Sequence, residues 1–178
     1  TTYSVFFIGY TTNTSDYRAA IAGVTDTIYR IQTTTGSTRF STQIANSGSW
    51  TVVSSSFSSS NTNVPCLLET TNTASAGTYS IYYNGTFNNS STGTAVGTSA
   101  GLYIGSANGT NFPWSGYVGE VLIFNKALSD VYRQYVEGYL AWKWGLQNNL
   151  PLTHYYYNEA PTHDIMDYNF CRKGRSEE

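Results

Sequence analysis

Tyr117-Val118-Gly119-Glu120-Val121-Leu122-Ile123-Phe124 is apolar at nearly every position. It reads as a strand, and the lack of polar alternation predicts cover on both of its faces. Glu120 is the exception. An acid inside such a run needs a partner or a backbone donor, so it is expected to be a structural anchor. A helix follows. Ser129 is placed to cap the first-turn amides, and Asp130 stands against the positive end of the helix dipole. Tyr132, Tyr135, Val136, Tyr139 and Leu140 then recur at three- and four-residue steps, predicting one apolar face of core contacts. Gly145 fits the left-handed closing position, and Pro151 prevents early resumption.

Upstream of this pair the chain is a series of short strand candidates: 3–10, 19–24, 28–33, 39–44, 50–57, 65–70, 79–83 and 102–105. Between them lie polar turns such as Thr34-Thr35-Gly36-Ser37, Asn46-Ser47-Gly48-Ser49 and Ala74-Ser75-Ala76-Gly77. Spacing of about ten residues with turn chemistry between strands predicts an antiparallel sandwich or barrel and argues against alternating βαβ units. Tyr79, Ile81 and Tyr83 share one face of their strand, and Asn84-Gly85 is what a tight hairpin turn demands.

Composition narrows the function classes. The 178 residues carry a formal net charge of −2, and only 11% of them are charged. No basic block is available to neutralise a phosphate backbone, which argues against nucleic-acid binding. The apolar runs fall well short of the roughly 20 residues of a membrane-spanning helix. Polar character comes mostly from Ser, Thr, Asn and Gly, beside 16 Tyr, a composition suited to strands and turns. Cys66 lies in a strand-like run and reads first as a buried free thiol. A bond to Cys171 is the other reading, and one pair is not a disulfide framework. Glu159, Asp164, Asp167, Arg172, Lys173, Arg175, Glu177 and Glu178 give the last stretch a different character. The expected organisation is therefore a sandwich over 1–157 and a charged tail over 158–178. The chain opens directly on a strand, so material upstream is expected.

Several segments together resemble a known family. Ile81-Tyr82-Tyr83-Asn84-Gly85-Thr86 is similar to the strand-turn of laminin G-like and pentraxin-like jellyrolls, and Leu102-Tyr103-Ile104-Gly105 to the strand that follows. Ser115-Gly116-Tyr117-Val118-Gly119-Glu120-Val121-Leu122-Ile123-Phe124-Asn125 resembles their glycine- and glutamate-bearing strand, and Leu128-Ser129-Asp130 their helix entry. The ending, Glu137 to Leu146 with Leu150-Pro151 and His154, is similar to a variant found in phage, bacterial and large DNA virus proteins. The resemblance covers about residues 79–155 and implies a concanavalin A-like fold: an all-β jellyroll sandwich of two antiparallel sheets with one C-terminal helix. One or two leading strands of the family pattern have no counterpart at the start. Gly116, Glu120, Tyr139, Leu140 and Trp144 are the expected structural positions.

The glucanase branch of this superfamily would require acids at alternating positions of one strand, supplying a nucleophile and an acid/base about 5 Å apart. No strand here has them. Glu69 and Glu120 each stand alone, and Asp164 and Asp167 fall in the tail, so the chain is expected not to be an enzyme. His154 reads as a packing or hydrogen-bonding residue, and His163 with Asp164 and Asp167 as a weak metal pattern. Calcium, if bound, would fall to loop ends such as Asp16 and Asp26; no other cofactor is expected. The sharper possibility is a sugar site in Asn108-Gly109-Thr110-Asn111-Phe112-Pro113-Trp114, with Asn108, Asn111 and Trp114 as ligand residues. The plainer alternative has Trp114 capping the core. Asn13, Asn84, Asn88, Asn89 and Asn108 head glycosylation acceptor patterns. The expected function is an assembly module on a virion or other extracellular surface, contacting neighbouring subunits. The alternative is a carbohydrate-binding or adhesion module.

Overall fold

The computed structural model describes residues 2–13, 18–23, 30–34, 37–46, 49–54, 63–73, 76–94, 101–107 and 109–162. The strands run in the order β1 (Tyr3–Thr11), β2 (Arg18–Gly23), β3 (Arg30–Thr34), β4 (Ser37–Asn46), β5 (Ser49–Ser54), β6 (Cys66–Asn72), β7 (Ala76–Tyr83), β8 (Thr86–Thr94), β9 (Leu102–Ile104) and β10 (Gly116–Phe124). Helix α1 (Asp130–Lys143) and a 3-10 turn (Gln147–Asn149) follow. One five-stranded sheet has the order β10-β1-β6-β7-β8 and the other β5-β4-β3-β2-β9. The ladders are antiparallel.

Period-two alternation along β1 explains the layering. Tyr3, Val5 and Phe7 point between the sheets, where they meet Ala20 and Ile21 of β2, Phe40 of β4, Cys66 and Leu68 of β6, and Tyr79 and Ile81 of β7. Phe6 and Ile8 point the other way. With Leu67 they form a second core beneath Val136, Leu140 and Ala141 of α1, closed by Leu146 and Leu150. The first sheet is thus covered on both sides, and Val5-Phe6-Phe7-Ile8 can be apolar throughout. No helix among the described residues is long and apolar enough to cross a membrane.

Each of the nine expected strands has a counterpart within a few residues of its predicted bounds, while positions 24, 28–29 and 55–57 of those expectations lie outside the described residues. β8, Thr86-Phe87-Asn88-Asn89-Ser90-Ser91-Thr92-Gly93-Thr94, was not foreseen. It forms the outer edge of its sheet, paired to β7 through a turn in which Asn84 (φ 48) and Gly85 (φ 75) are both left-handed. Its side chains are half-buried or exposed where described, so it needs no apolar alternation.

Two expectations are corrected here. β10 is not fully covered on both faces. It is covered only in part on each: as the opposite edge strand it pairs among the described residues with β1 alone, so Val121 reaches the inter-sheet core and Leu122 and Phe124 the helix-side core, while Tyr117 and Ile123 stand exposed. The apolar face of α1 is also different. Tyr135, Val136 and Leu140 are buried, but Tyr132 is half-buried and Tyr139 exposed, and Arg133, Glu137 and Gly138 take the inward positions. Ser129 occupies the N-cap with extended backbone (φ −67, ψ 161), yet its side chain makes no capping bond. The other end closes as expected. Gly145 is left-handed (φ 70), Leu146 N–H donates to the Ala141 carbonyl at 2.7 Å, and Gly145 N–H donates to that of Trp142 at 3.4 Å.

Candidate functional site

The charges that α1 carries inward form a network against the first sheet. Arg133 and Glu137 lie one turn apart, and Arg133 Nη1 donates to Glu137 Oε1 at 2.6 Å. The same guanidinium lies 3.8 Å from Glu69 Oε2 of β6 and 4.3 Å from the ring centroid of Tyr82 on β7. Its Nε donates to Asp130 Oδ1 at 3.4 Å. From the segment after the 3-10 turn comes His154. Its Nδ1 accepts the Tyr156 N–H at 3.1 Å, so in the neutral ring the proton sits on Nε2 and is donated to Glu137 Oε2, also at 3.1 Å.

Glu69 does not stand alone, as its sequence surroundings implied. Burial first, and then the facing Glu137, push its carboxyl well above the usual carboxylate range, against the opposing pull of Arg133. Held as the neutral acid, it leaves one Arg133–Glu137 pair to balance in the interior. As the neutral acid Glu69 is a donor, and the facing Glu137 carboxylate is the group that accepts from it. The two acids converge, but at 1% and 0% exposed neither can reach a sugar bond.

A raised carboxyl pKa has a definite sign. Above the ordinary glutamate pKa the unfolded chain releases a proton that the folded chain keeps, so the contribution of Glu69 to stability falls as pH rises toward its folded value. Glu69→Gln mimics the protonated form. It is expected to melt with the wild type at pH 4 and to gain on it steadily from pH 5 to pH 8 in thermal scans. A penalty of equal size at every pH would refute the neutral-acid assignment.

On the outer side of α1 this network backs a groove of about 320 Å³ lined by Asp130, Val131, Gln134, Tyr155 and Tyr156. Tyr156 is the fixed element. Its Cβ would lie 2.6 Å from a Cβ on Gly138, so the returning chain crosses the helix where glycine makes room. Its ring meets Tyr135 edge-on at 5.8 Å, and its carbonyl accepts Trp142 Nε1–H at 2.8 Å. Tyr155 packs on Tyr156 at 4.9 Å in a T-shaped pair and remains 76% exposed. Gln134 Oε1 accepts the Tyr155 N–H at 3.3 Å, which leaves the amide nitrogen as a donor. The Asp130 side chain is 82% exposed. The groove thus offers an aromatic ring, one carboxylate and one amide on a rigid support.

The sequence-predicted loop lies elsewhere, between β9 and β10. Asn108 falls outside the described residues. Asn111 is exposed, and its carbonyl accepts the Ala107 N–H at 2.9 Å. Phe112 is exposed with a left-handed φ of 52. Trp114 is half-buried, T-shaped on Phe7 at 5.6 Å and tilted on Phe40 at 6.5 Å. Its ring therefore packs on the core. Asn111 and Trp114 lie three positions apart on this loop.

The remaining candidates are placed as follows. Glu120 is half-buried, with Trp144 Nε1 donating to it at 2.7 Å and Lys143 Nζ at 3.0 Å. Burial works against its charge, but these two donors outweigh it and hold its carboxyl below the usual range. Tyr139 accepts from Lys143 Nζ at 3.2 Å, and the Trp144 ring covers Gly119. Glu120, Lys143 and Trp144 thereby anchor the end of α1 to β10, and Leu140 lies in the helix-side core. Asn84 Oδ1 accepts the Leu67 N–H at 2.9 Å, tying the hairpin turn to β6. Asn13 is half-buried, and Asn88 and Asn89 lie on β8. Cys66 is a buried free thiol, pushed up by burial to about 12. Asp16, Asp26, His163, Asp164, Asp167 and Cys171 lie outside the described residues, among which no three His, Cys, Asp or Glu side chains converge as a metal site.

Sequence reading missed the groove because its residues are spread over two segments. Arg133 and Glu137 at one-turn spacing were the available signal.

A family model described as "Concanavalin A-like lectin/glucanases superfamily" matches residues 1–131. No curated protein matches the chain. Among solved structures, the chain is similar to the CBM40 of Ruminococcus gnavus IT-sialidase bound to alpha2,3 sialyllactose (13% identity, 74% of this chain and 79% of that one, TM-score 0.57). It is also similar to domain 4 of an extracellular GH43 arabinanase from Geobacillus stearothermophilus in complex with arabinotriose (20% identity, 73% and 63%, TM-score 0.56). A third is the heptameric SAP-like pentraxin of Limulus polyphemus (17% identity, 76% and 69%, TM-score 0.56).

Proposed function

We propose that this chain, which belongs to the Concanavalin A-like lectin/glucanases superfamily, is a non-catalytic glycan-binding module acting on an extracellular or particle surface. The observation that carries this is Tyr155, exposed and braced edge-on by Tyr156 beside the polar groups of Asp130 and Gln134. An aromatic ring takes the C–H face of a pyranose, and neighbouring carboxylate and amide groups bond its hydroxyls. Relatives of the same fold were solved with sialyllactose and arabinotriose, which supports this reading over that of a purely structural part. The burial of Glu69 and Glu137 supports a role without catalysis.

On a glycan array the chain is expected to retain oligosaccharides, and Tyr155→Ala to weaken the best of them about tenfold or more, the equivalent of roughly 1.4 kcal/mol. Tyr155 is largely in water, so the melting temperature should hardly move. Trp114→Ala is a poorer test because it also removes core packing. Binding that survives Tyr155→Ala would discard this groove as the site.

Assembly with other subunits is favoured by one observation. The β10 edge shows Tyr117 at 65%, Ile123 at 42% and Val118 at 37% exposure. A stable oligomer by light scattering without glycan retention would prefer that reading.

A further inference from the structure

We infer that the α1 groove selects uncharged sugars and excludes acidic ones, an inference that rests on the reading of the groove as a glycan site. Four of its lining residues, Val131, Gln134, Tyr155 and Tyr156, carry no formal charge, and the fifth is the carboxylate of Asp130. The neighbouring cation, Arg133, is held by acids. Its Nη1 is committed to Glu137 at 2.6 Å beneath the surface, its Nε faces Asp130 at 3.4 Å, and the side chain is 9% exposed. Among the described residues that line the groove, a sugar carboxylate or sulfate would therefore meet a like charge and no cationic side chain. A neutral pyranose meets the reverse. Its hydroxyls donate to Asp130 in charge-assisted bonds, the Gln134 amide nitrogen donates to a sugar oxygen, and Tyr155 takes the apolar face.

The groove does not follow the ligands of the relatives. Of its lining residues only Asp130 and Val131 fall within the stretch matched by the family, which ends at residue 131. Gln134, Tyr155 and Tyr156 belong to the helix and the returning segment beyond it. Its ligand choice is set by this chain's own side chains.

The test is an array carrying neutral, sialylated, uronate-bearing and sulfated oligosaccharides, probed with the full chain and with Tyr155→Ala, Asp130→Asn and Asp130→Lys. The wild type is expected on neutral sugars only. Asp130→Asn should weaken the strongest of these about tenfold in solution titration, and Asp130→Lys should shift retention toward acidic sugars. Tyr155-dependent retention of acidic sugars by the wild type would overturn the selectivity and leave the site standing. Neutral binding indifferent to both Tyr155→Ala and Asp130→Asn would remove the site and the selectivity with it, as would no binding at all.

Discussion

Arg133→Met will lower the unfolding free energy by about 3–5 kcal/mol, because it strands a buried acid. Glu137 is fully buried, and its Oε1 has Arg133 at 2.6 Å. Without the guanidinium, His154 remains, bonded to Oε2. Methionine fills much of the volume but offers no charge. The pair itself is worth far less than its breaking costs, since burying both ions already incurs desolvation. Adding Glu137→Gln should therefore recover most of the loss, with the amide oxygen still accepting from His154. Urea unfolding of both variants decides the matter. A single variant costing under about 1 kcal/mol, or a double variant worse than the single, would contradict a network held together by charge.

Gly116→Ala is the second large effect, and its origin is steric. Gly116 has a φ of 151, and a methyl there would run into the Tyr10 carbonyl oxygen and lie 2.8 Å from Thr11 Cα. The backbone conformation alone costs about 1–3 kcal/mol for a non-glycine residue, and overpacking adds roughly another 1–3. Gly116 is the last partner of β1 in the ladder, opposite Thr11, so the collision falls at the start of the edge strand. Gly105→Ala separates the two terms. Its φ is 85, but nothing lies within 4 Å of the added methyl, so only the conformational cost applies. Equal losses in the two variants, measured by denaturant unfolding, would remove the steric account.

The sandwich was legible in the sequence because its strands announce themselves by alternation, turn chemistry and spacing. β8 escaped for a physical reason. An edge strand of small polar residues is held by backbone pairing to β7 and needs no apolar stripe, and Ser90-Ser91-Thr92-Gly93-Thr94 carries none. β10 misled in the opposite direction, since apolar residues at an open edge look like those of a covered strand. In α1 the helical period was correct, but hydrophobicity alone put Tyr139 inside and left Arg133 out. The contact surface instead accepts a neutralised ion pair, and it also accepts a glycine where Tyr156 crosses. The groove was illegible for a further reason. Asp130 and Gln134 are joined to Tyr155 by tertiary contact and not by spacing.

Glu137 answers to two partners carried by different stretches of chain, Arg133 one turn earlier and His154 seventeen positions later. Descent from a common ancestor should bear the mark of this. Substitutions at these three positions have to arrive in company, whereas the exposed side chains of Asp130 and Tyr155 are free to drift one at a time. Such an arrangement lets a lineage change its taste in ligands quickly upon a foundation that changes slowly.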